Sequence, residues 1–100
     1  MIDELEQRIS GGYEAQEILS SPAYVAAFEQ IEQEYTQAWM NSPARDEAAR
    51  EKLYLMLKLL HKVKGHLALK ITDGKMAQMT LDDRSKAQKA MAAVRDWTGF

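Results

Sequence analysis

The stretch SPARDEAAREKLYLMLKLLHKVKGHLALKITDG, Ser42 to Gly74, decides how this chain folds. Its apolar residues recur at steps of three and four: Ala49, Leu53, Met56, Leu57, Leu60, Val63, Leu67 and Ile71. That period belongs to one face of an α-helix. Pro43 suits a first helical position behind Ser42, and Gly74 stands where a left-handed cap would end the helix. The spacing therefore predicts a helix over 43–73, roughly 46 Å long. Leu55, Leu59 and Leu69 lie off its main face, and Tyr54 points another way. A single neighbouring helix cannot cover all of these.

Before it, PAYVAAFEQIEQEYTQAWMN reads as a helix over 22–41 of roughly 30 Å. Tyr24, Ala27, Phe28, Ile31, Tyr35, Ala38 and Trp39 form its stripe, and Ser21 and Pro22 open it. The two helices are expected to form an antiparallel hairpin that leaves about a third of the longer one uncovered. Gly11 and Gly12 read as an interruption. Residues 1–12 are expected to be a flexible arm with at most a frayed turn, followed by a short helix at Tyr13–Leu19. Thr80 reads as the cap of a last helix, with Asp82 and Asp83 in its first turn and Leu81, Ala87, Ala90, Met91, Val94 and Trp97 on its stripe. The fold class is thus all-α: the hairpin, short helices at each end, one domain over 1–100, and oligomeric.

Composition narrows the chemistry. The chain has 100 residues and no cysteine, which excludes a disulfide framework, a thiolate zinc site and a cysteine nucleophile. The first twelve residues lack the basic start and apolar run of a signal peptide. No apolar window is long enough for a membrane span. His61 and His66 are five apart and project about 140° apart, whereas two metal ligands on one helix want a spacing of four. No Gly-rich phosphate loop or nucleophile pattern is present. The reading is non-enzymatic, with no catalytic residue, no metal and no cofactor.

Charge is unevenly placed. Residues 1–51 hold 11 Asp/Glu and 3 Lys/Arg, and residues 52–100 hold 4 and 10. An acidic helix packed beside a basic one accounts for this. A basic surface for nucleic acid is the alternative, not favoured because no tight helix-turn-helix or interleaved aromatics accompany it. Lys64 projects within the Leu53–Leu60 face, where a lysine snorkels or meets a partner's anion. Arg45, Arg50 and Lys64 are the candidate anion contacts. Tyr54, Leu55, Leu59, Lys64 and Leu69 are the candidate partner or self-association residues, since contiguous exposed apolar surface marks protein contacts.

The pattern formed by Trp39, Ser42, Pro43, Arg45, Asp46, Arg50, Glu51 and Leu53, then Val63, Leu67, Gly74 and Lys75, resembles a group of small helical proteins of tailed bacteriophages and prophages. It covers roughly residues 17–77. The resemblance implies a phage or prophage origin and a location in the host cytoplasm or the virion. It implies an accessory protein that acts as an oligomer or adaptor in virion assembly, partnered by itself or by another phage or host protein. Two alternatives stay open. One is a DNA-packaging component like a small terminase subunit. The other is an early anti-defence protein that masks a host protein or sequesters a nucleotide.

Overall fold

The structure is a computed structural model, and it describes the backbone of residues 3–98 and the side chains of residues 3–95. Every regular element among the described residues is a helix: α1 spans Glu4–Ser20, α2 spans Pro22–Asn41 and α3 spans Glu47–Thr98. No helix among them is long and apolar enough to cross a membrane.

The bounds of α2 are those its stripe and its proline predict. Ser21 is extended, so the chain bends between α1 and α2 without a longer loop. At the other end Ser42 closes α2 rather than opening the next helix. Its Oγ donates to the Trp39 carbonyl at 2.6 Å. Pro43 therefore does not begin α3, as its position had suggested. A turn follows it, and Asp46 caps α3 by accepting the Ala49 amide at 3.2 Å.

The expected breaks at glycine are corrected. Gly11 and Gly12 lie inside α1, which starts nine residues before the expected helix and leaves no arm over residues 4–12, while residues 1 and 2 lie outside the described residues. Gly74 lies inside α3, and no glycine among the described residues has a positive φ. Thr80 is mid-helix, its Oγ1 donating back to the Met76 carbonyl at 3.1 Å. One helix of 52 residues replaces the two predicted ones. The side chain of Trp97 lies outside the described residues.

The reason is a helix crossing. Gly12 and Gly74 are both buried, and a Cβ built on either would lie 3.0–3.1 Å from the other's Cα. The absent side chains let two helix backbones touch, so these glycines serve packing rather than turning. Around them α3 continues its stripe through Leu67, Ile71, Gly74, Ala77 and Leu81, against Leu5, Gly12 and Ala15 of α1. Arg8 clamps the same crossing. Its Nε and Nη2 donate to the Asp73 carboxylate at 2.7–3.1 Å, a two-pronged pair. The hydrogen bond from Arg8 holds Asp73 below the usual aspartate range, and the bond to Asp73 raises Arg8. Most of what covers α3 is therefore α1, where the sequence had assigned that role to α2.

Little is enclosed. Leu5, Ala15, Phe28 and Ala77 are the buried apolar side chains among the described residues. From Asp82 through Arg95 every residue of α3 is exposed, so the last turns extend beyond the cover of α1. The radius of gyration is 22.9 Å, against about 13 Å for a compact domain of this length.

Candidate functional site

The candidate residues lie along α3, several of them where α2 meets it. Phe28 is the anchor of that seam, 7% exposed. His61 packs edge-on against it with ring centroids 5.5 Å apart, and Tyr24 lies 6.0 Å away on its own helix. His61 Nε2 stands 3.2 Å from Glu32 Oε2, so this histidine ties the two helices together. Lys64 places its Nζ 4.7 Å above the Phe28 ring. A cation over an aromatic face is attracted by the ring's negative potential, so the snorkelling lysine finds its contact inside the chain.

Farther along, Arg50 lies 4.3 Å over the Trp39 ring. Its Nη1 donates to the Trp39 carbonyl, the Ser42 carbonyl and Ser42 Oγ at 2.9–3.2 Å. Trp39 and Ser42 stand at the end of α2, where Ser42 already donates to the Trp39 carbonyl, so Arg50 adds a second cap supplied by the next helix. Of the three candidate anion contacts, Arg50 and Lys64 are thus engaged within the chain. Arg45 sits exposed in the turn between α2 and α3.

The five candidate association residues are all exposed, but they do not share one face. Lys64 is in the seam. Tyr54, 52% exposed, carries Lys58 Nζ 5.4 Å over its ring on the side away from Leu59. Leu55, Leu59 and Leu69 are 53–64% exposed. Val63 joins them at 59%, although the periodicity had placed it in the covered stripe. Leu59, Val63 and Leu67, with the apolar parts of Lys62, His66 and Lys70, line an open depression of about 430 Å³ along one side of α3.

On α2 the stripe is likewise wider than its cover. Tyr24, Ile31 and Tyr35 are half-buried, while Ala27 and Ala38 are exposed. No cluster of metal-ligating side chains occurs among the described residues.

No family model matches the chain, and no curated protein and no solved structure matches it.

Proposed function

We propose that this chain is a non-enzymatic helical interaction protein that works as a homo-oligomer, with the hairpin of α2 and α3 as its associating element. The observation that carries the reading is the surplus of surface. The accessible surface is 8239 Å², whereas a compact monomer of this mass exposes about 5,800 Å². A chain of 11.4 kDa with four buried apolar side chains among its described residues gains too little from its own packing to offset the entropy of ordering the backbone. A second copy supplies the missing burial. The tailed-phage resemblance supplies the setting, an accessory role in particle assembly.

Light scattering at micromolar concentration tests the oligomer. A mass at a multiple of 11.4 kDa is expected. A folded species of 11.4 kDa at every concentration would end the proposal. The setting is tested by whether the protein copurifies with phage particles from an infected or induced host.

The exposed end of α3 supports a second reading, contact with nucleic acid. Residues 84–95 carry Arg84, Lys86, Lys89 and Arg95 and no acidic residue. A DNA mobility shift that weakens steeply with salt would support it, because phosphate contacts release counterions.

A further inference from the structure

The face on which a second copy lies follows from the flanks of the seam, given the self-association proposed above. A helix turns about 100° per residue. On that basis Leu55, Leu59 and Val63 fall within about 80° of one another, on a flank of α3 roughly 100° from the Leu53–Leu60 stripe that meets α2. His61 is on the opposite flank, where it holds Glu32. The flank of α2 that carries Glu32 therefore lies on the His61 side. Its other flank, with Ala23, Ala27, Ile31 and Ala38, lies on the side of Leu59 and Val63. Large apolar residues on one helix and small ones on the next make a single two-helix face. Lys62 edges it on α3, while Lys52 lies within it in line with Leu59 and Val63, and Glu34 lies within it on α2 in line with Ala23 and Ala27.

We propose that this face is covered by the same face of a second copy, related by a two-fold axis running along the helices, so that α3 of each chain lies on α2 of the other. Three arguments select this arrangement. The first is area. The surplus over a compact monomer is roughly 2,400 Å² per chain, part of it on the uncovered end of α3, and a standard interface needs roughly 800 Å² from each partner. The second is charge. A two-fold axis across the helices would stack α3 on α3 and set lysine rows against each other. The axis along them sets the lysine row of α3 against Glu34 of the second copy. The third is shape. Leucine and valine ridges meet an alanine row, and every neighbouring pair of helices is antiparallel, as in a four-helix bundle.

The symmetry also fixes the register, because a closed two-fold rotation has no shift along its axis. Within one chain Phe28 is level with His61 and Lys64, and Trp39 with Arg50. The same levels then hold between chains. Val63 meets Ala27 of the second copy, Leu59 meets its Ile31, and Lys52 comes within reach of its Glu34.

The chain has no cysteine, so single introduced ones report contacts directly. Ala27→Cys protein is mixed with Val63→Cys protein under mild oxidation, after circular dichroism has shown both to be helical. A disulfide needs Cα atoms about 4.4–6.8 Å apart, and this dimer brings only the mixed pair into that range. The covalent dimer is expected to form at least about tenfold faster in the mixture than in either protein alone. Equal rates, with the unmodified chain still dimeric by mass, would overturn this face and leave self-association standing. A monomeric mass for the unmodified chain would remove both. Charge exchange gives an independent check. Lys52→Glu and Glu34→Lys should each weaken the dimer, by about tenfold if the two symmetry-related pairs together contribute about 1.4 kcal/mol. The double variant should recover most of that loss, and failure to recover it counts against the register.

Discussion

Gly12 and Gly74 meet backbone to backbone where α1 crosses α3. A Cβ on Gly12 would stand 3.0 Å from the Lys70 carbonyl oxygen, and one on Gly74 would stand 3.0 Å from that of Arg8. Neither neighbour is a flexible side chain that can move aside. Gly11 and Gly65, by contrast, have nothing within 4 Å of where a Cβ would be.

Opposite signs of effect follow for the same substitution. Gly11→Ala and Gly65→Ala should stabilise the protein by about 0.5–1 kcal/mol, because alanine loses less backbone freedom in a helix. Gly12→Ala and Gly74→Ala should destabilise it by about 1–3 kcal/mol despite that gain, because the helices must part. Urea unfolding of the four variants measures this. Stabilisation by Gly74→Ala would show that the crossing is looser than the structure has it.

Acid should loosen α1 before the rest. The bond from Arg8 lowers Asp73, so this pair contributes stability above the ordinary aspartate range and loses it as pH falls through the depressed value. Arg8 stays charged throughout. Amide exchange in α1 should therefore rise, relative to α2, as the solution is acidified below the aspartate range. Asp73→Asn should raise it at neutral pH and flatten the dependence. Identical pH profiles for both proteins would refute the assignment.

Phe28→Ala should be the costliest truncation in the seam, about 3–5 kcal/mol for a buried phenylalanine. Leu57, which is only half-buried, should cost no more than about 2 kcal/mol on conversion to alanine. Denaturant midpoints of the two variants settle the order.

Changing Leu55 and Leu59 together to Glu should leave helicity intact and reduce the mass to 11.4 kDa. Glutamate is a good helix former, and both positions are more than half exposed in the single chain. Two carboxylates enclosed in an interface would be strongly unfavourable. An unchanged mass with unchanged stability would mean that the association face lies elsewhere.

The sequence carried the parts of this fold that are periodic and local. The extent of α2 followed from Ser21, Pro22 and a stripe of threes and fours. The exposure of Leu55 and Leu59 followed from their angular distance from Leu53 and Leu60. Glycine misled the reading because the same residue ends helices and lets them touch. A signal of the second role was present, since the steps Leu67, Ile71, Gly74, Ala77 and Leu81 pass through Gly74 without a change of period. What no local pattern contains is the partner of that glycine 62 positions earlier, or the ion pair between Arg8 and Asp73, separated by 65. The capping by Arg50 was equally hidden, because it depends on how the turn after Asn41 folds back toward Trp39.

That separation sets an order of events during synthesis. Phe28 and His61, or Trp39 and Arg50, can meet once the first turns of α3 have emerged. The binding surface for α1 is completed only at Ala77 and Leu81. At about 5–20 residues per second, the ribosome needs roughly 3–12 s to go from the end of α1 to that point. Until then the surface that receives Leu5 is incomplete, so of the three helices the first to be made is the last to be fully fastened.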